Sequence, residues 1–579
     1  MFFRRAATGS GRVAAAEISG EIAGSTGSRQ SSGHSLFFAY LSIYGICGSL
    51  TLSFYPTYSF PTGDEATYYS YAQHPWTLVS DFFAGYRPKE VINPYNARLF
   101  LTPFAAVFQL FGFTVTGARL VVFAYGLLVL VLVYLSSAPA SSKGSALVAT
   151  VLLSLSSPFV YMSHGVRPES LMAVLIMLAV WLLVRSGGDV APRDYFWLGM
   201  VSASCLWVHY NGVFFYVIVF VSAAIYEGGL PARGKWLNYL LAGGLFGVLY
   251  TALNLVPARS TIGEFGWVPV SFTSNNRLAV LDWTSWPKLI DQGMGYYLGY
   301  LAGGSYLERR TYAFSSLLMA LASVGLFYRR GREDRLLASL MALIGLVMVV
   351  VLPNHRWHYT YYLWPLGFTL LGRTLAKLSA HRWGQWLAAC VLLPVAVSYL
   401  VDDANALRRH YDFSVQHRRL EREIRRLIAA LGEHEKVTVF GSQVFHAAAH
   451  DARFRTPHSL ISTGDMEATL RATRPDMVLL HPLSVRTMGQ YLAHDALYEP
   501  AARSGKTRPG EVERLVREGI LVRDKKGKAR INWDHVTRHI EQSLRHEGYY
   551  EHRGGPWTWN GTAVQIFLKR PVPHRVSGR

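Results

Sequence analysis

The chain has 579 residues, 51% of them hydrophobic and only 16% charged, with a formal net charge of +20. Soluble proteins carry about 25% charged residues; with a mean hydropathy of +0.18 and repeated long apolar runs, this composition excludes an ordinary soluble domain and points to a polytopic membrane protein. The bases are spread over loops between apolar runs rather than along one helix face, so they read as contacts to anionic lipid headgroups and not to nucleic acid.

Residues 1–33, rich in Ser, Gly, Ala and Arg, read as a disordered cytoplasmic tail. Arg4, Arg5, Arg12 and Arg29 precede the first apolar run and favour a cytoplasmic N-terminus. That run, 34–55, shows no convincing cleavage site and reads as a retained anchor. A polar, aromatic loop then extends to about 97 and carries Gly63-Asp64-Glu65-Ala66-Thr67-Tyr68. An acid just outside a membrane face stays charged at little cost. Asp64 is therefore a candidate base able to accept a proton from a hydroxyl, a role worth about 10²–10⁴ in rate. The plainer reading of Asp64 and Glu65 is a pair of solvated loop acids.

The apolar stretch 98–112 is shorter than the roughly 20 residues a spanning helix needs. If it crosses the membrane, the basic loop from Arg329 to Arg335 falls outside. If it lies along the outer surface, that loop falls inside, together with Lys143, Arg185, Arg193, Arg233, Lys235, Arg373, Lys377 and Arg382. Charge bias therefore favours an interfacial helix, with Arg309 and Arg310 as exceptions on the outer side. Further spans are expected at about 117–136, 144–162, 169–185, 194–209, 211–227, 236–257, 311–328, 335–353, 359–376 and 383–400. The sum is about eleven transmembrane helices, N-terminus inside and C-terminus outside. Within 194–227, His209-Tyr210-Asn211-Gly212 reads either as a tight outer turn or as a break in one long helix.

This topology puts three polar clusters on the outer face: the Asp64 loop, the link from Ser163 to Glu169, and the stretch from Asn354 to Pro365. A larger outer loop, 258–310, adds Glu264, Asp282, Lys288 and Asp291. From 401 to 579 spans stop and charge density rises. A helix at 418–432, strands at 436–441 and 563–570, and a helix-turn-strand at 466–482 predict a soluble extracytoplasmic α/β domain. Gly441-Ser442 is too little to make a nucleotide site.

Several side chains in these clusters carry two readings. Arg167, before Pro168-Glu169 at the head of a span, is either a snorkelling anchor or a bidentate partner for a phosphate or carboxylate. His355, Arg356, Trp357 and His358 suit a phosphate beside aromatic rings or an interfacial belt with basic anchors. Three-residue spacing also lets His355 and His358 share a divalent metal, but no third ligand is evident nearby, so no metal site is assigned. Tyr361, Tyr362 and Trp364 read equally as belt residues. Arg119, at the start of the second span, either pairs with a carboxylate or anchors the helix. Cys47, Cys205 and Cys390 lie inside apolar runs and form neither a disulfide nor a zinc pattern. Asn560-Gly561-Thr562 matches an N-glycosylation acceptor, a pattern too frequent to assign a role.

The order of these features resembles the GT-C glycosyltransferases, in the branch of protein O-mannosyltransferases and lipid A aminoarabinose transferases. The likeness covers roughly 34–400. It is carried by "GDEATYY" after the first span, "QLFGFTVTGARLVVF" at 109–123, "VRPES" at 166–170 and "HRWHYTYYLWPL" at 355–366. Glu169 replaces the more usual acid spacing of the third motif. The resemblance implies a polyprenyl-phosphate sugar donor, no nucleotide sugar, no certain cofactor, and inverting transfer at the outer face to a glycan, lipid or protein acceptor. Asp64 would be the base and Glu65 would orient the base or the acceptor. Arg167, Arg356, His355 and His358 would hold the donor phosphate. Tyr68, Arg119, Glu169, Tyr361 and Tyr362 would line the pocket. Two other readings compete: a non-enzymatic carrier or flippase for a lipid-linked glycan, which should carry charges along a midplane path, and a scaffold whose exterior domain binds partners.

Overall fold

The computed structural model describes residues 18–54, 65, 68, 72, 98–140, 142–209, 211–255, 287, 290, 291, 331–351, 357–432, 437–441, 445, 449, 452–455, 470, 471, 473–481, 513, 514, 516, 517, 521–523, 529–552, 557–559 and 562–570. The span expected at 311–328 and the exceptions Arg309 and Arg310 lie outside them.

Helix α1 runs Ile18–Phe54. It therefore starts inside the stretch expected to be a disordered tail. Only Gly33–Ser53 of it is apolar enough to cross a membrane, close to the expected anchor. A helix nucleated by such a span extends into poor helix formers at little cost per residue. Helix α2 (Arg98–Phe111) buries Phe100, Leu101, Phe104, Ala105 and Phe108 on one side and exposes Leu110 and Phe111. At about 1.5 Å per residue, its 14 residues do not reach across a hydrocarbon core about 30 Å thick. Helix α3 (Val115–Ser137) opens on Thr114, whose hydroxyl accepts from the amide of Gly117 at 3.0 Å.

The expected span at 144–162 is two helices, α4 (Lys143–Leu155) and α5 (Ser157–His164), bent by 69°. Pro158 near the start of α5 lacks the amide that would continue the α4 ladder. Helix α6 (Pro168–Arg185) begins on a proline, as does α7 (Pro192–Val208), a position where the missing N–H costs nothing. Helix α8 (Gly212–Glu227) packs beside α7, so the 209–211 segment is a turn between two helices and not a kink in one. Helix α9 (Arg233–Tyr250) continues as a π-helical turn to Leu255, and α10 (Arg332–Leu346) as another to Val351. A 3-10 segment, Trp357–Tyr362, leads into α11 (Leu363–Ser379).

Among the described residues five helices are long and apolar enough to span a membrane, or six if the bent pair is one span. Four other expected spans are α7, α8, α10 and α11, helices of 17, 16, 15 and 17 residues. Helix α6 is apolar on every side and is packed on every side, against α3, α7, α8, α10 and α11. It is the axis of the membrane part.

Helix α12 (Arg382–Leu431) is 50 residues long. A break was expected near 400; instead the last apolar span and the basic helix at 418–432 are one rod. Beyond it come β1 (Thr438–Gly441), β2 (Arg453–Arg455), β3 (Met477–Leu480), β4 (Leu521–Arg523), β5 (Ala529–Ile531), α13 (Trp533–His546), β6 (Tyr550–Glu551), β7 (Thr558–Trp559), β8 (Thr562–Ala563) and β9 (Gln565–Leu568). Five strands form a mixed sheet in the order β2-β1-β3-β9-β6, with β2, β1 and β3 parallel and β9 antiparallel to β3 and β6. Alternation splits it into two buried faces. Met477, Leu479, Ile566 and Leu568 pack on Leu420, Ile424 and Leu427 of α12, while Val478, Leu480 and Phe567 pack on Val536, Ile540 and Leu544 of α13. The end of the last membrane helix is thus a core helix of the α/β domain.

Candidate functional site

The segment between α1 and α2 is pinned to the helices at Glu65. Its carboxylate is buried, 1% exposed, between two distant segments. Oε2 accepts from Nη2 of Arg119 at 3.1 Å, and Oε1 accepts from the backbone amide of Val166 at 2.6 Å. Arg119 sits in the first turns of α3 and is itself wholly buried. Val166 lies in the link between α5 and α6. One carboxylate therefore joins the loop, the head of α3 and the entry to α6. Burial pushes the Glu65 carboxyl above its ordinary value; the guanidinium of Arg119, the Val166 amide and the charge of Arg167 pull the other way.

Tyr68, three residues on, packs its ring edge-on against Phe100 of α2 at 5.4 Å, and Phe100 in turn meets Phe104 at 4.7 Å. The loop thus has a polar pin at Glu65 and an apolar one at Tyr68. Asp64 lies outside the described residues, but its neighbour in sequence is fixed.

Arg167 caps α6 and is buried. Glu169 accepts from its Nε at 3.2 Å and from its Nη2 at 3.4 Å, a fork-to-carboxylate geometry. The same acid stands in the first turn of α6, where negative charge is favoured. The two readings of Arg167 were an anchor or a bidentate partner; the structure gives it a carboxylate partner. His164 closes α5, with Nδ1 at 3.0 Å from the Ser163 hydroxyl and 2.7 Å from the Val160 carbonyl.

The 3-10 segment packs against the entry of α6 and against α5. Tyr361 and Tyr362 on it are almost wholly buried; Tyr361 lies 6.2 Å from the ring of Tyr161, and Tyr362 stands edge-on to Phe215 of α8 at 5.0 Å. These contacts make them packed residues at the junction of α5, α6 and α8 rather than a belt facing lipid. His355 and Arg356 lie outside the described residues, as does the side chain of His358. Among the described residues no three His, Cys, Asp or Glu side chains lie together as a metal site.

Of the sequence-derived candidates, the structure joins Glu65 to Arg119, brings Arg167 within electrostatic reach of Glu65, and sets Tyr361 beside Tyr161 of α5 and Tyr362 beside Phe215 of α8. Sequence reasoning missed Val166, which acts through its backbone and leaves no residue-type signal. It also treated the bases at the other end of the helices as loop charges. There Arg373 is buried, with Nε 2.5 Å from Asp334 and Nη2 3.4 Å from Glu333.

Residues 100–252 match the family model described as dolichyl-phosphate-mannose-protein mannosyltransferase. No curated protein matches the chain. Among solved structures, ArnT from Cupriavidus metallidurans bound to undecaprenyl phosphate aligns with a TM-score of 0.54 at 14% identity, covering 78% of this chain and 94% of that one. The apo form of the same protein gives 0.52 at 13% identity, covering 79% and 95%. An Archaeoglobus fulgidus oligosaccharyltransferase tethered with an acceptor peptide gives 0.45 at 10% identity, over 79% and 72%. The resemblance to the GT-C membrane glycosyltransferases drawn from the sequence is borne out, and the fold is a multi-pass helical one of that kind with a C-terminal sheet region.

Proposed function

We propose that this GT-C-like chain is a membrane glycosyltransferase that takes its sugar from a polyprenyl phosphate and passes it, with inversion, to an acceptor hydroxyl at the outer membrane face. In this reading the N-terminus is cytoplasmic and the α/β domain extracytoplasmic. The oxygen of the acceptor hydroxyl attacks the anomeric carbon, the bond from that carbon to the phosphate oxygen breaks, and the hydroxyl proton passes to Asp64. Polyprenyl phosphate leaves with the electron pair. The observation that carries this assignment is the buried attachment of Glu65 to Arg119 and Val166, which fixes the residue beside Asp64 next to the head of α6. Glu65 is then a positioning residue for the base, and Arg119 positions Glu65.

Negative charge develops on the departing phosphate, and donors already aimed at it are often the largest catalytic contribution. Arg167 suits that role because Glu169 holds its guanidinium in place before substrate arrives. Arg356, His355 and His358 remain proposed partners of the same phosphate, and Tyr68, Glu169, Tyr361 and Tyr362 proposed neighbours of the bound sugar. No divalent metal is needed for this scheme. The undecaprenyl phosphate bound in the ArnT structure supports the donor class; the acceptor is a glycan, lipid or protein.

The test is transfer by purified protein from a polyprenyl-phosphate sugar to an acceptor hydroxyl. Asp64→Asn should lower the rate about 10²–10⁴-fold with donor binding retained. Undiminished transfer by Asp64→Asn would remove Asp64 as the base. A carrier would instead move the lipid-linked sugar without transferring it, and a scaffold would lose function on deletion of 401–579 while tolerating Asp64→Asn.

A further inference from the structure

The turn between α7 and α8 holds hydrogen-bonding groups without a partner among the described residues. Asn211 is 1% exposed, and neither its carboxamide oxygen nor its carboxamide nitrogen has a hydrogen-bond partner among the described residues. The indole N–H of Trp207, in the last turn of α7, is also buried without a partner among the described residues. Three backbone amides of the turn are paired: that of His209 donates to the Cys205 carbonyl at 3.0 Å, that of Gly212 to the His209 carbonyl at 2.7 Å, and that of Asn211 to Nδ1 of His209 at 3.1 Å. These bonds fix the backbone at Asn211 while its carboxamide has no partner among the described residues. Gly212 enforces the tight path, since a Cβ there would meet the Cys205 carbonyl at 2.1 Å.

A buried carboxamide without partners is costly, and natural folds satisfy most such groups. A polar group kept against that cost fits a position completed by a ligand. The location agrees. Helices α6 and α7 are neighbours joined by a short connection at their other ends, so the end of α7 lies beside the head of α6 and Arg167. One turn past Asn211, Phe215 meets Tyr362. The ring of Trp207 stands edge-on to Tyr250 at 5.6 Å.

We infer that Asn211 and Trp207 form a sugar-binding position at the outer end of α7, taking hydroxyls of the glycosyl group carried by the donor lipid. A carboxamide offers one acceptor and two donors, and an indole one donor, without charge. That set matches neutral vicinal hydroxyls and not a phosphate, which Arg167 serves better. This inference rests on the donor reading above.

The test measures binding of undecaprenyl phosphate, bare and carrying mannose, to the full-length protein in detergent, with thermal midpoints of the ligand-free protein alongside. Wild type should bind the mannosyl lipid more tightly than the bare one. Asn211→Leu should lose about tenfold for the mannosyl lipid and nothing for the bare lipid, because a site built to hydrogen-bond hydroxyls discriminates through them. Its ligand-free midpoint should hold or rise, since an unpaired amide has been replaced by an apolar group of similar size. Trp207→Phe should shift the same ratio in the same direction by a smaller factor. Equal losses for both lipids, no loss for either, or a wild type indifferent to the mannose each overturn the inference while leaving the donor reading in place. A wild type that binds neither lipid sinks the donor reading itself.

Discussion

The two ends of the helix bundle are both held by charge, but in different ways. At the end carrying the candidate site, a single acid, Glu65, reaches across to Arg119 and to a backbone amide, joining segments 54 and 101 residues away. At the opposite end many pairs knit neighbouring helix ends: Arg373 with Asp334 and Glu333, Lys235 with Glu227 and Asp189, Arg185 with Asp194, and Arg332 donating to the Gly188 carbonyl. Several ion pairs hold one end; at the other, among the described residues, Glu65 and the ring of Tyr68 tie the loop to the helices.

That contrast breaks most sharply at Glu65. Removing one partner of a buried pair leaves an uncompensated charge and costs about 3–5 kcal/mol. Arg119→Ala should therefore lower the thermal midpoint and, if Asp64 is the base proposed above, also bring transfer close to the level of Asp64→Asn, because Glu65 beside it has lost its anchor. In the double variant Glu65→Gln with Arg119→Met, the midpoint should recover in part while transfer stays low. Recovery of both would show that the pair serves stability alone.

Asp334→Ala is the matching experiment at the other end. Asp334 and Arg373 are also buried, but Arg373 keeps Glu333 as a second partner, so the loss of stability should fall below the range of about 3–5 kcal/mol. The rate per folded molecule should stay near wild type, since no candidate site residue lies there. A fall in rate beyond the fraction unfolded would mean that the two ends are coupled through α6 and its neighbours.

How much of this was legible beforehand follows from the reach of each interaction. Apolar runs and the basic loops between them are local signals, and they gave the described helices in the right order. The likeness of "GDEATYY" and "GARL" to a family located Glu65 and Arg119, but chain-local reasoning left Arg119 as either an anchor or an ion-pair partner. A contact between residues 65 and 119 is decided by packing. Val166 could not be read at all, because its contribution is an amide that every residue but proline possesses. The bend between α4 and α5 was visible as Ser156-Ser157-Pro158 and was passed over in favour of a single apolar run. The expected break near 400 failed for the opposite reason. Composition changes there, but Asp402-Asp403-Ala404-Asn405-Ala406-Leu407 contains neither glycine nor proline to stop a helix, so α12 carries on into the sheet domain.

The continuity of α12 gives a smaller, pH-dependent handle. Half-buried Glu423 accepts from both nitrogens of the Arg426 fork and lies 2.9 Å from Nε2 of His552 beside the sheet. The hydrogen bond from Arg426, then that with His552, hold its carboxyl below the ordinary 4.5 against the effect of burial. A carboxyl depressed in the folded state stabilises fully above its unfolded value and loses that contribution as pH falls through the folded one. Docking of α12 on the sheet should therefore weaken as pH drops below about 4.5, read as amide exchange in Leu420–Leu431. Glu423→Gln should flatten that dependence and leave transfer near neutral pH unchanged.

The smallest effect belongs to the exposed rim of the redundant end. Arg185 donates to Asp194 at 3.3 Å with its side chain 42% exposed, and its guanidinium lies 4.6 Å from the ring centre of Trp181. Exposed pairs of this kind contribute about 0.2–1 kcal/mol and are screened by salt. Arg185→Lys keeps the charge and weakens the planar stacking; Arg185→Gln removes the charge. If the ion pair matters more than the ring, Arg185→Gln should lower the midpoint slightly at low salt and match wild type at high salt, while Arg185→Lys stays near wild type at both. Equal losses in the two variants at every salt concentration would assign the contribution to Trp181. A loss as large as that of Asp334→Ala would show that this end has no redundancy, and the contrast between the two ends would fail.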